Sequence, residues 1–139
     1  MNRRRRRHHL VVGLAVGVLG AGWFVRPRRV VIVGPSMEPT LVGGDRLVVV
    51  KGLGGPRTGD IVAVADPRGG GRLLVKRVVS VEGDEVEVEG DNPRSSTDSR
   101  SFGPVRRRAL VGRAVYRYFP ADRAGLLRGR SRRATGRSG

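Results

Sequence analysis

A serine flanked by two prolines is the first candidate for chemistry in this sequence. Ser36 lies in the segment Gly34–Thr40, with Pro35 directly before it and Pro39 three residues later. Proline fixes its own backbone angle, so the segment keeps a non-helical course and presents the serine hydroxyl at the edge of a sheet. An ordinary Pro-Ser turn has the same pattern, so Ser36 by itself does not define a nucleophile.

The second candidate is a lysine in a chain that otherwise uses arginine. Lysine occurs only at Lys51 and Lys76 among 28 basic residues. Strand alternation along Arg72–Val79 places Lys76 on one face together with Leu74 and Val78. If that face is buried, desolvation lowers the lysine pKa and produces a working base. A lysine that snorkels at a sheet edge is the alternative.

A polar loop and the residue counts complete the case for a serine–lysine pair. The chain has no Cys, and its two His, His8 and His9, precede the folded part. This excludes disulfides, thiolate nucleophiles and thiolate zinc sites, and it disfavours a Ser-His-Asp triad. The loop Gly90–Arg100 offers hydroxyls and carboxylates that could orient a lysine base, although a solvated loop has the same composition. Together the three segments predict a triad in which lysine takes the role of histidine.

Short valine-rich runs separated by Gly, Pro and Asp turns must position these groups. A chain of 139 residues is the size of one domain, and runs at about ten-residue spacing are typical of a small, mainly β barrel or folded sheet. The predicted strands are Val30–Val33, Arg46–Lys51, Asp60–Ala65, Arg72–Val79, Glu85–Glu89 and Ala109–Tyr118.

The N-terminal part of the chain has the pattern of a membrane anchor. Residues 1–9 form a basic flank, and Leu10–Val25 is an uncharged, mostly apolar run that predicts one transmembrane helix. This helix would reach roughly 24 Å, which is borderline for a hydrocarbon core of ~30 Å. A cleaved signal peptide and an interfacial or buried helix are the alternatives. Residues 26–120 form the predicted domain, and residues 121–139 a disordered tail rich in Arg, Gly and Ser.

The net charge of +16 does not indicate a nucleic-acid binder once it is divided along the chain. Residues 1–29 carry eight Arg and no acid, and residues 106–139 carry eleven Arg and one acid. Residues 30–105, which hold most of the predicted strands, carry nine basic and eleven acidic residues. Aromatic residues for base stacking are also few. We therefore expect no nucleic acid among the partners.

Four segments, in this order, resemble the conserved boxes of the signal peptidase I family of serine–lysine endopeptidases. They are GPSMEPTL, GDIVAVADP, LLVKRVVSVEGDEV and GDNPRSSTDSRSFGPV, and they cover most of residues 30–118. The resemblance implies a signal-peptidase-like β domain that cleaves N-terminal leader peptides after small residues. It implies no metal and no cofactor.

The resemblance also implies roles for individual residues. Ser36 is expected to be the nucleophile and Lys76 the general base, with Ser96 orienting Lys76. The Ser36 backbone N–H is expected to belong to the oxyanion hole, with Gly34 and Met37 as supporting neighbours. Some family members have a serine where this chain has Gly34, so the second oxyanion donor stays open. The implied structural network consists of Arg77, Asp91, Asn92, Asp98 and Arg100.

Departures from the family pattern point to one branch. Only Glu82–Glu89 lies where many bacterial signal peptidases carry a second β domain, and Pro93 replaces a usual arginine. With the ending Tyr-Arg-Tyr-Phe-Pro, the chain looks most like the nickel-type superoxide dismutase maturation proteases. Those enzymes remove the leader from the precursor of that dismutase. A small general signal peptidase that cleaves secretory preproteins is the alternative.

The expected partners are a precursor with an N-terminal leader and membrane lipid, and the expected location is the cell membrane with a single pass. Five Arg precede the apolar run and three follow it, which favours a catalytic domain outside. A dismutase precursor processed in the cytosol requires that domain inside, so the sequence leaves the side open. A membrane-tethered basic adaptor without catalysis would explain the Arg-rich ends, but it leaves the Ser and Lys motifs as coincidence.

Overall fold

The computed structural model describes residues 26–129, which form one curled antiparallel sheet with the shape of a half-barrel. Its strands are β1 (Arg26–Val31), β2 (Arg46–Lys51), β3 (Ile61–Ala65), β4 (Leu73–Glu82), β5 (Glu85–Glu89), β6 (Val105–Arg106), β7 (Leu110–Phe119) and β8 (Gly125–Leu126). They pair in the order β1-β2-β7-β3-β4-β5-β6, and β8 pairs with β7. The predicted mainly β fold is confirmed.

The strand β3 lies between β7 and β4 and is buried on both faces. Ile61 and Ala63 pack into a first core cluster, whereas Val62 and Val64 pack into a second. A strand that is covered on both sides needs apolar residues at every position, which explains the continuous run IVAVA. The two faces of the neighbouring strand β4 also differ: Val75 packs against the first core cluster, whereas Leu74 and Val78 pack in the second.

The predicted ends of a strand agree best with the structure where turn residues lie on both sides of the apolar run. The strands β2 and β5 match to the residue, but β1 begins at Arg26 instead of Val30, and β4 continues to Glu82. The early start of β1 has a physical reason, because β1 pairs with β2 at the edge of the sheet, where charged residues and Pro27 are tolerated. The strands β6 and β8 have two residues each and are too short to appear as runs.

The prediction of a disordered tail from residue 121 is wrong for its first part. Ala121–Arg123 forms a 3₁₀ turn, β8 follows it, and Leu127 packs on the first core cluster. One edge of β7 pairs with β3, but only as far as Arg113. Beyond Arg113, the backbone groups on the same edge of β7 pair with β8 instead, at Tyr116 and Arg117. Residues 130–139 lie outside the described part of the chain.

Within residues 26–129, no helix has the length and apolar character needed to cross a membrane. The predicted anchor Leu10–Val25 and the basic flank at residues 1–9 lie outside the described residues.

Candidate active site

The segment that carries Ser36 follows β1 and is held through its backbone. Met37 is 1% exposed and packs into the first core cluster, which fixes the chain directly after the serine. The Asn92 N–H donates to the Ser36 carbonyl at 2.9 Å, and Asn92 Nδ2 donates to the Pro35 carbonyl at 3.1 Å. Met37 and Asn92, both predicted site residues, thus lie against this segment, and Ser36 itself is half-buried.

Gly34 has no side-chain donor, and its backbone conformation suits glycine. Its φ is +81°, in the region that other residues rarely adopt, and a Cβ there would meet no atom within 4 Å. A serine at this position would therefore be limited by backbone strain and not by lack of space.

Lys76 lies in β4 with its side chain in the protein interior. It is 3% exposed and pairs with Val62 of β3, so its side chain is on the face of the second core cluster. Burial lowers the pKa of Lys76, and the positive charge of Arg100 acts in the same direction, whereas the negative charge of Asp98 opposes it. The predicted desolvation of this lysine is present.

A short chain of hydrogen bonds lies behind Lys76, in the segment that contains a 3₁₀ turn, Pro93–Ser95, and the short helix α1, Ser99–Phe102. Lys76 Nζ donates to Ser96 Oγ at 2.9 Å, and Ser96 Oγ donates to Asp98 Oδ2 at 2.7 Å. Asp98 is fully buried and also binds Arg100 through both carboxylate oxygens, at 2.9 and 2.5 Å.

The Asp98 carboxylate provides the negative charge at the end of these hydrogen bonds. Burial raises its pKa, but hydrogen bonds from Arg100, the Gly90 N–H and Ser96 outweigh burial and hold the pKa well below its usual value. Asp98 therefore stays ionised and acts only as an acceptor. In return, the carboxylate raises the pKa of Arg100.

Gly90 is a site residue that the sequence reasoning did not single out, although it is the first residue of the Gly-Asp-Asn motif. A Cβ at Gly90 would lie 2.2 Å from Ser96 Oγ and 2.5 Å from the Ser36 carbonyl oxygen. These distances are far below van der Waals contact, so only glycine lets the two serine segments approach each other. Its N–H donates to Asp98 Oδ2 at 2.9 Å.

Arg77 lies on the other face of β4, and the residues of the predicted network form two separate ion pairs. Arg77 binds Asp91 through two hydrogen bonds, at 2.8 and 2.7 Å, whereas Arg100 binds Asp98. Adjacent residues of a strand point to opposite faces, so Arg77 and Lys76 have different neighbours. Asp91 also accepts from Thr40 Oγ1 at 2.6 Å, which connects this pair to the segment after Ser36.

Ser36 and Lys76 line one cleft of about 110 Å³, which we call the active-site cleft. Most of its other lining residues are aliphatic. They come from the end of β1 and the start of β4: Val30, Val31, Ile32, Val33, Leu73, Leu74 and Val75. Val33 is 89% exposed and Leu73 is 41% exposed, so the rim is apolar and open. Among residues 26–129, no three His, Cys, Asp or Glu side chains converge on a possible metal site.

Comparison with known proteins assigns the family. Residues 5–92 and 88–119 match the family described as Signal peptidase, peptidase S26. The chain belongs to this family. Membership implies a serine-type endopeptidase.

Curated relatives come from organelles and from bacteria. The mitochondrial ATP-independent inner membrane protease subunit 1a of Arabidopsis thaliana is 34% identical over 121 residues, which covers 68% of this chain and 72% of the relative. The mitochondrial inner membrane protease subunit 1 of Homo sapiens is 34% identical over 119 residues, with 68% and 71% covered. The probable signal peptidase I-1 of Synechocystis is 29% identical over 165 residues, with 85% and 83% covered.

Proposed function

We propose that this peptidase removes N-terminal leader peptides with Ser36 as its nucleophile and Lys76 as its general base. One observation carries the proposal: the buried Lys76 donates to Ser96 at 2.9 Å and shares the active-site cleft with Ser36. Burial is the change that turns lysine into a base, because it lowers the lysine pKa. A lowered pKa raises the neutral fraction near pH 7.

The hydrogen-bond chain supports a defined orientation of that base. A serine hydroxyl has one hydrogen, and Ser96 gives its hydrogen to Asp98. Towards Lys76, Ser96 can therefore only accept, which directs one N–H of the amine to Ser96. The lone pair of neutral Lys76 is then available to another group, and Ser36 is the hydroxyl that lines the same cleft.

The reaction follows from these roles. Neutral Lys76 takes the Oγ proton of Ser36 while Oγ attacks the scissile carbonyl carbon, and the Ser36 backbone N–H stabilises the oxyanion. The Lys76 ammonium gives its proton to the leaving amine as the peptide bond breaks. A water activated by the same lysine then hydrolyses the acyl-enzyme and releases Ser36.

The cleft favours an apolar substrate segment with small side chains next to the cleaved bond. Its volume of about 110 Å³ leaves little space for a large side chain beside Ser36. The exposed rim residues Val31, Val33 and Leu73 provide apolar contacts for an extended peptide. Membrane location with Leu10–Val25 as a single-pass anchor remains part of the proposal, and relatives named as inner membrane proteases support it.

For the substrate, we propose the precursor of a nickel-type superoxide dismutase. The support is the compact link between the Lys and Gly-Asp-Asn motifs, where Gly83 and Asp84 alone connect β4 to β5, together with Pro93 in the first position of its 3₁₀ turn. Secretory preproteins are the second candidate, because one bacterial relative is named a probable signal peptidase.

The test is N-terminal proteomics on cells that carry the wild type, Ser36→Ala, or the matched control Ser95→Ala. We expect one dismutase precursor to keep its leader in Ser36→Ala cells and in no others. Persistence of many exported precursors would establish the general signal peptidase instead. An unchanged list of N-termini in Ser36→Ala cells would contradict the proposed catalytic role of Ser36.

A further inference from the structure

A second buried carboxylate lies outside the predicted site, at the end of the loop that carries Ser36. Asp45 is fully buried and accepts from Arg117 Nη1 at 3.1 Å and from Arg123 Nη2 at 2.5 Å. It also accepts from the Val42 N–H at 3.1 Å. We call Asp45, Arg117 and Arg123 the Asp45 clamp.

The Asp45 clamp closes the loop between β1 and β2. The Ile32 N–H donates to the Asp45 carbonyl at 2.8 Å, and the Gly44 N–H donates back to the Ile32 carbonyl at 2.9 Å. Arg117 Nη1 also donates to the Thr40 carbonyl at 3.1 Å. Backbone hydrogen bonds thus join the two ends of the loop, and the clamp holds the Asp45 end and a point four residues after Ser36.

The segment after β7 supplies one arm of this clamp. Arg123 is the last residue of the 3₁₀ turn, and its carbonyl accepts from Arg117 Nε at 2.6 Å. The pairing of β8 with Tyr116 and Arg117 then holds this turn in place. A buried carboxylate requires paired charges and hydrogen bonds, so the two guanidinium groups determine where the Asp45 side chain sits.

We propose that Arg123 is a positioning residue that sets the place of Ser36 relative to Lys76. The inference rests on the proposed function, in which these two side chains must align. The hydrogen bonds from Lys76 to Ser96 and from Ser96 to Asp98 fix the lysine side of the pair. On the serine side, Met37 and Asn92 hold the residues around Ser36, and the clamp holds the rest of the same loop. Misplacement of a reacting group by about 1 Å reduces the rate of such reactions by as much as about 10²-fold.

The experiment compares Arg123→Ala with Arg128→Ala, a change of an exposed arginine in the same segment, both in the full chain. The substrate is a fluorogenic peptide whose leader ends in an Ala-x-Ala sequence. For Arg123→Ala we expect kcat to fall about tenfold or more while KM stays within about twofold. Arg123→Lys, which keeps one charged donor, should recover part of the loss, and Arg128→Ala should match the wild type.

Amide hydrogen exchange gives a readout that does not depend on activity. In Arg123→Ala we expect faster exchange of the backbone amides at Leu41 and Asp45, with unchanged exchange at Val86 and Val88 of β5. Unchanged kcat, or faster exchange throughout the sheet, would overturn the positioning role. If the wild type has no Ser36-dependent activity, both the proposed function and the positioning role are wrong. Faster amide exchange confined to Leu41 and Asp45 in Arg123→Ala would then still show that the clamp holds the loop.

Discussion

The two faces of β4 carry cations in opposite situations. Lys76 points to one face, is 3% exposed, and donates to a neutral hydroxyl at 2.9 Å. Its neighbour Arg77 points to the other face and makes two hydrogen bonds to the Asp91 carboxylate. One residue step along a strand therefore separates a buried lysine from an arginine that is paired with a carboxylate.

The difference shows how the surroundings of a side chain favour or disfavour its positive charge. A carboxylate in direct contact favours the charged form, whereas burial beside a hydroxyl disfavours it. Asp98 lies one hydrogen bond further from Lys76, behind Ser96, and its charge is paired with Arg100. The site thus keeps a carboxylate to orient Ser96 without placing that carboxylate on Lys76.

Exchange of the two cation types is the strongest test of this comparison. Lys76→Arg should reduce kcat by about 10²–10⁴-fold, because a guanidinium does not lose its proton near neutral pH. Arg77→Lys should stay active and lose about 1–2 kcal/mol of unfolding free energy with one of its charged hydrogen bonds. Peptide cleavage and urea unfolding of both variants measure this, and an active Lys76→Arg would rule out Lys76 as the base.

The next largest effect is expected where the two serine segments meet. Gly90→Ala places a Cβ within 2.2–2.5 Å of Ser96 Oγ and the Ser36 carbonyl, so one of them must move. We expect a loss of about 10²-fold in kcat/KM. Gly55→Ala is the control, since its Cβ would meet only the movable end of the Arg107 side chain, at 3.0 Å. Equal activity of the two variants would show that the close approach is not needed.

Local pattern predicts the lysine but not the contacts around it. Alternation in Arg72–Val79 is enough to place Lys76 and Arg77 on opposite faces, and turn residues are enough to bound β2 and β5. The closeness of Gly90 to two serines arises only when three segments of the chain pack together. No spacing rule contains that information.

The Asp45 clamp shows a second limit of sequence reasoning. Its arginines are 72 and 78 residues away from Asp45, in a chain where most cations are arginine, so composition does not select the partners. The same Arg-rich composition led to the incorrect prediction of disorder for residues 121–127. A few contacts, including the Leu127 side chain and one buried carboxylate, are sufficient to order that segment.

A smaller effect is expected on the pH dependence of cleavage. Activity should rise with pH as Lys76 loses its proton. Arg100 lowers the pKa of Lys76 and Asp98 raises it, so Arg100→Gln should move the rising limb to higher pH and Asp98→Asn to lower pH. Profiles of kcat/KM against pH check the two signs, with Arg128→Gln as a surface control. Shifts of the same sign in both network variants would contradict this electrostatic account of the lysine.

The smallest expected effect is on stability, where Lys76 should be unfavourable for folding. Because the folded state lowers the pKa of Lys76, the unfolded chain binds the proton more strongly. The contribution of Lys76 therefore makes the free energy of unfolding increase as pH rises from the folded-state pKa towards the ordinary lysine pKa. Lys76→Met removes the buried charge, keeps an apolar side chain of similar length, and leaves the hydrogen bond from Ser96 to Asp98 intact.

For Lys76→Met we expect an inactive protein whose Tm is about 4–8 °C higher, which corresponds to ~1 kcal/mol, together with a weaker dependence of Tm on pH. Lys51 is the other lysine of the chain and is exposed, so Lys51→Met should leave Tm within about 1–2 °C of the wild type. A lower Tm in Lys76→Met would mean that the lysine stabilises the fold through its bond to Ser96. In that case Lys76 and Arg77 would both stabilise the fold through their hydrogen bonds, and the two faces of β4 would differ only in the partners of these cations.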